Sequence, residues 1–172
     1  MKNLKNNIFL PLLLLLLWMT VPLQADAAKP STPVQYKEYT QLEIGDILFD
    51  TPKAPKQKLL KTKIFFRGKV LKSSMLKKEE IVVYRMVVTC CAADMLPLGI
   101  LVKLPDKMGF SDGDWVGVEG MIQLLPFNEK LKIIEPVANM VPPEKVFPYF
   151  NATKAYKVKA PKDEYIYVQY SY

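Results

Sequence analysis

The strongest constraint on this chain is a rhythm it lacks. From Lys63 to Val141 no segment sustains the apolar period of about 3.6 residues that an amphipathic helix needs. Short β-rich runs stand there instead. They are "KIFFRGKVLK" (63–72), "EIVVYRMVVTCC" (80–91), "LGILVKL" (98–104), "DWVGVEGMIQLL" (114–125) and "KLKIIEPVANMV" (130–141). In the fourth, Val116, Val118, Gly120, Ile122 and Leu124 share one parity, as on one face of a strand. Turn residues separate the runs, so the spacing predicts an all-β fold. Gly68 and Gly120 sit inside runs, where glycine permits the sharp bends of a small barrel's corners. Pro136 has no N–H to give, so a strand there must lie at an edge or bulge. The expected architecture is a small five-stranded OB-like barrel. The helix usual between its third and fourth strands is not visible, and "PDKMGFSDGD" (105–114) reads as loop.

The first residues carry a different message. Lys2 and Lys5 precede the apolar run "IFLPLLLLLLWMTV" (8–21), and small residues follow at Ala25 and Ala27. Charged, apolar, then small is the order of a secretory signal peptide, which places the expected cleavage after Ala27. The run is shorter than the ~20 residues of a usual membrane span, though an uncleaved anchor is the alternative. Either way the rest of the chain is expected outside the cytoplasmic membrane, periplasmic or extracellular. The expected organisation is signal peptide 1–27, flexible tether 28–41, OB-like barrel 42–150 and tyrosine-rich extension 151–172. Within it, "YTQLEIGDILFD" (39–50) fits a strand or a short helix, and "TPKAPKQK" (51–58) a loop. Tyr165–Tyr172 fits an added edge strand or a tail packed on the barrel.

Removing residues 1–27 takes away Lys2, Lys5 and Asp26 and leaves 22 basic and 16 acidic residues, a net charge of +6. The lysines are scattered singly, with short clusters at 53–63 and 154–162. That is the pattern of a solvated surface, with membrane contact as the sharper alternative. OB folds that hold single-stranded nucleic acid set aromatic platforms beside a basic groove, and Phe65, Phe66 and Tyr84 are candidates by type. An exported protein rarely meets such a ligand, so no nucleic-acid partner is expected.

Histidine is absent, and neither a phosphate-binding glycine loop nor a serine elbow is found. No catalytic residue is therefore assigned, and no enzyme is expected. The cysteines are only two, and adjacent: Cys90 and Cys91 in "VVTCCAADMLPLG" (87–99). If the strand continues through them, they point to opposite faces. Adjacent Cα atoms lie about 3.8 Å apart, inside the roughly 4.4–6.8 Å of ordinary bridges, so a disulfide between them would be strained and labile. Structural zinc wants four ligands. Cys90, Cys91 and Asp94 could offer a soft metal ion only part of a shell, leaving a partner to complete it. Three readings stand side by side: small buried core residues, a redox switch, and a shared metal site. No cofactor beyond that metal is expected.

The stretch "YRMVVTCCAADMLPLGILV" (84–102) resembles the signature of the YcgQ-like family, with its Thr-Cys-Cys-x-Ala-Asp block. "FFRGKVL" (65–71), "DWVGVEG" (114–120) and the Pro-Tyr at 148–149 follow the same pattern. The resemblance covers about residues 42–150. It implies an OB-like extracytoplasmic domain paired with a YcgR-type permease or other envelope protein. It singles out Arg85, Thr89, Cys90, Cys91, Ala93 and Asp94 as the functional motif, with Trp115, Gly117 and Gly120 structural beside Gly68. The family usually shows more than one membrane segment before this domain; here there is one signal-like stretch.

Two smaller features complete the reading. Asp112 and Asp114 flank Gly113, a solvated turn lacking the further ligands of a calcium loop. Arg85, inside an apolar strand, cannot be buried unpaired, and Asp94, Glu119 and Glu135 are its candidate partners. The functions to be weighed are an exported non-catalytic binding or accessory module and, as the alternative, a thiol-based redox or metal-handling protein.

Overall fold

A computed structural model describes residues 38–49, 55–88, 92–106, 108–139 and 146–167. The signal-like segment and the tether up to residue 37 lie outside them. No helix among the described residues is long and apolar enough to cross a membrane.

The β-rich runs form strands because their side chains alternate between a buried interior and an outer face. The elements, in order, are β1 (Thr40–Gln41), α1 (Ile44–Leu48), α2 (Lys56–Leu59), β2 (Ile64–Leu71), β3 (Glu80–Val88) and β4 (Leu96–Lys103). They continue with β5 (Trp115–Pro126), α3 (Glu135–Ala138), β6 (Val146–Lys157) and β7 (Tyr165–Tyr167). Short 3-10 turns stand at Ala92–Asp94 and Glu129–Ile133.

Five strands close a barrel. They follow the order β2-β5-β6-β4-β3, and β3 returns to β2. The closing pairs are Lys69–Tyr84, Val70–Val83 and Leu71–Val82. All barrel pairings are antiparallel except β4 with β6, which makes the barrel mixed and its order OB-like. The interior is sealed by alternate residues: Phe66 and Val70 from β2, Ile81 and Val83 from β3, Ile100 and Val102 from β4, Val116 and Val118 from β5, and Phe150 from β6. The rings of Phe66 and Phe150 meet edge to face at 4.8 Å.

Two glycines permit the closure. A Cβ on Gly68 would lie 2.7 Å from the Tyr84 carbonyl oxygen, so only glycine lets β2 press against β3 where they join. A Cβ on Gly120 would lie 2.0 Å from the Asn151 carbonyl oxygen, and the β5–β6 register shifts between Glu119 and Gly120. That shift is a bulge that bends β5 around the barrel.

Several expectations need correcting. The run 130–141 is not the fifth strand; as far as residue 139 it forms a 3-10 turn and α3. Pro136 therefore sits in the first turn of a short helix, where its missing N–H costs nothing, and not at a strand edge. The fifth strand is β6, which runs past residue 150, the expected end of the barrel, and continues to Lys157. The run 39–50 supplies both β1 and α1, and α1 buries Ile44, Ile47 and Leu48 in the barrel core. The loop expected at 51–58 ends in α2, which buries Leu59. Loop 105–114 carries no helix among its described residues, as expected, and Phe110 within it is buried in the core.

A second hydrophobic cluster lies outside the barrel. The β5–β6 connection folds back over the outer face of β3 and β4, packing Phe127, Leu131, Ile134 and Val137 against Val82 and Leu101. Phe147 of β6 joins it, edge to face with Phe127 at 5.6 Å.

Candidate functional site

Arg85 lies where β3 changes partners. Val82–Tyr84 pair with β2, and Met86–Val88 pair with β7, parallel. Arg85 stands between the two pairings and is 4 % exposed. Its parity is that of Ile81, Val83 and Val87, which face the interior. Nε donates to the Glu164 carbonyl (3.1 Å), Nη2 to the Asp163 carbonyl (2.8 Å) and Nη1 to the Glu43 carboxylate (3.0 Å). The guanidinium carbon lies 5.2 Å from the centre of the Trp115 ring. Lys69 lies 5.5 Å from the same ring and pairs with Glu164 at 3.0 Å. Asp46 accepts from the Glu43 amide, which fixes Glu43 at the start of α1. Burial lowers the guanidinium's affinity for its proton, the Glu43 carboxylate raises it, and the net shift is downward.

One charge thus joins three separate pieces of chain: α1, the barrel and the segment leading into β7. A fork with five donors suits this task; a lysine could not make the same planar set. The carboxylate partner is Glu43, and not Glu119 or Glu135. Glu119 is buried and accepts from the Tyr156 hydroxyl at 2.8 Å, and Glu135 is exposed at the start of α3. Glu43 lies 42 residues from Arg85, outside any local pattern.

Of the other motif residues, Trp115 joins Arg85, while Asp94 sits exposed in a 3-10 turn. Gly117 pairs with Arg67 and Tyr156, and its missing side chain leaves room for the Phe65 ring. Thr89, Cys90 and Cys91 lie outside the described residues, as does any bridge or metal they hold. Among the described residues no group of three acidic or thiol side chains could hold a metal ion. Asp112 and Asp114 serve structure, Asp112 tying the turn to the end of β2 and Asp114 closing the turn itself. They accept from the Lys72 and Ser111 amides, Asp114 pairs with Lys157 at 2.8 Å, and Gly113 takes φ +79°. Phe65 and Phe66 are buried, so they are not platforms for bases.

A second place escapes sequence reasoning altogether. A cleft of about 530 Å³ opens on the outer face of β4, β6 and β5. Its floor is built in rows by strand register. Leu101, Tyr149 and Gln123 form one row; Lys103 and Asn151 form part of the next; Phe147 and Leu125 form a third. One wall is the β2–β3 loop with Met75 and Lys77; the other is the β5–β6 connection with Asn128 and Lys130. The two walls correspond to the loops that flank the ligand face of OB folds, while most of that face, the outer side of β3 and β4, is covered here by the β5–β6 connection, and the cleft opens beside it.

At the edge of the floor the Tyr149 hydroxyl donates a very short hydrogen bond to the Glu80 carboxylate. Burial alone would push the Glu80 carboxyl up. The bond from Tyr149, with the amide and ammonium of Lys77, outweighs burial and holds it below its ordinary value. Burial first, and then Glu80, push the Tyr149 hydroxyl well above its own ordinary value. No sequence signal pointed here, because the lining comes from side chains scattered between residues 75 and 151.

The family model described as the DUF1980 C-terminal domain matches residues 48–168. No curated protein sequence matches the chain. Among solved structures, a putative aspartyl-tRNA synthetase from Leishmania major Friedlin is similar over 76 % of this chain, at 9 % identity and a TM-score of 0.41. An aspartyl tRNA synthetase from Entamoeba histolytica is similar over 75 %, at 10 % identity and a TM-score of 0.40. The chain spans 23 % of the length of each of these proteins, and at these scores neither likeness bears on its chemistry.

Proposed function

The chain belongs to the family of the DUF1980 C-terminal domain, and from that premise we propose that it is an exported, non-catalytic binding module serving a membrane permease or another envelope protein. The single observation that carries this reading is the cleft on the outer face of a closed barrel, walled by the two loops that flank the ligand face of OB folds, the β2–β3 loop and the β5–β6 connection. Export rests on the signal-like order of the first 27 residues. The permease rests on the resemblance of "TCCAAD" and its flanks to the YcgQ-like family.

The barrel's buried charges favour binding over catalysis. Arg85 is held by three acceptors and Glu119 by Tyr156, so each is spent on architecture. The test is genetic. Deleting the gene should alter uptake of at least one ion or small solute by the producing cell. The wild-type chain should restore it, and a chain with its cleft filled by Gln123→Trp should not. Unchanged transport of every solute tested, with no membrane partner crosslinked in cells, would remove the proposal.

A further inference from the structure

We infer that the cleft takes an amphiphilic anion, an acidic group carried on a short aliphatic body. This rests on the binding-module reading and names the class of ligand. Three lysines from three different elements converge on the cleft: Lys77 from the β2–β3 loop, Lys103 from β4 and Lys130 from the β5–β6 connection. One carboxylate, Glu80, lines the cleft with them, and it is already engaged by Tyr149 and Lys77. Lys103 and Lys130 have no carboxylate partner among the described residues, which leaves the cleft with a net positive charge.

Much of the remaining lining is aliphatic: Met75, Leu76, Leu101, Leu125 and Leu131. Met75 on one wall is 47 % exposed, and Leu125 on the floor is 41 % exposed. Side chains of this kind facing one hollow are an incomplete core, and a ligand's apolar part would complete it. The aromatic residues of the floor are not free for stacking. Phe147 is 3 % exposed within the outer cluster, and Tyr149 is half-buried with its hydroxyl tied to Glu80. A nucleic acid, read by stacking on open rings, finds no platform there. The side-chain amides of Gln123, Asn128 and Asn151 supply further donors around an acidic group.

The same chemistry is offered by a free alkyl acid and by an anionic lipid in a bilayer, and the experiment separates them. The chain as purified is titrated calorimetrically with octyl phosphate, octanol and octyltrimethylammonium, and is floated with phosphatidylglycerol or phosphatidylcholine vesicles. Octyl phosphate should bind at least tenfold more tightly than octanol, and the cation should not bind. The double variant K103E/K130E alters two exposed side chains, so it should fold normally and lose at least tenfold in affinity for octyl phosphate. Leu125→Ser should weaken octyl phosphate while leaving inorganic phosphate unchanged. Retention by phosphatidylglycerol vesicles without binding of monomeric octyl phosphate assigns the bilayer as the source; binding of the monomer without retention assigns a free acid.

Equal binding of octanol, tighter binding of the cation, or unchanged affinity of K103E/K130E overturns the inference and leaves the binding module standing. Failure of every ligand and vesicle overturns it too. The module reading itself falls only if the deletion strain also transports normally and crosslinks to nothing.

Discussion

Two apolar clusters, one inside the barrel and one on its outer face, differ in how they are made. The inner one is built chiefly by strands, each contributing alternate residues, with α1, Leu59 of α2 and Phe110 packed onto them, and it is sealed: Phe66 and Phe150 are fully buried. The outer one is built by a connection that is not a strand, folded back on β3 and β4, and a cleft opens along its margin. The difference teaches where the chain's individuality lies. The interior is what any barrel of this order requires, while the outer face is where a particular ligand can be met.

The sharpest test of that contrast is Phe150→Ala. The ring is fully buried against Phe66, so its loss should cost about 3–5 kcal/mol, measured by denaturant unfolding. A loss below that measured for the outer cluster would reverse the comparison. Next comes Arg85→Met, which leaves the carbonyls of Asp163 and Glu164 without their donor. Because Glu43 is 41 % exposed and can turn to water, the cost should be about 2–3 kcal/mol and not the full penalty of a buried pair. Hydrogen exchange should show the β7 amides losing protection first, and uniform loss through the barrel would deny Arg85 its tethering role.

Leu131→Ala, in the outer cluster, should cost about 2 kcal/mol, the low end for such a truncation, because its surroundings can settle toward the cleft. The barrel's near-ultraviolet signal should survive. Smallest is Tyr149→Phe, about 1.5 kcal/mol near neutrality, the low end for a bond to a charged group. Its pH dependence carries a sign. The Glu80 carboxyl is held below its ordinary 4.5, so the Tyr149–Glu80 bond contributes above that value and is lost as pH falls through the lowered one. The gap between wild type and Tyr149→Phe should therefore close in acid; a gap that widened would mean that the bond does not favour the ionised carboxylate.

Much of this fold could be read directly. The four runs at 63–72, 80–91, 98–104 and 114–125 became β2 to β5, because alternation is a local property of neighbouring residues. The fifth was misplaced because "KLKII" is rich in β-formers, yet Asn128 caps it as a turn and Pro136 starts a helix there. The true strand, Val146–Lys157, was hidden by Pro148 and by the polar residues of its outer face. Arg85 was recognisable as a buried charge in need of a partner, and its neighbour Trp115 was singled out with it. Glu43 was not recognisable, being remote in sequence.

The amino-acid order alone settled which residues alternate, where the chain must bend, and that an arginine inside an apolar strand demands a counter-charge. Those follow from backbone geometry and desolvation, which act over a few residues. Only the tertiary structure chose Glu43 for Arg85, laid 127–137 on the outside of the barrel, and brought Lys77, Lys103 and Lys130 to one cleft. Strand order decides such meetings, and strand order is set by contacts between residues far apart in the chain.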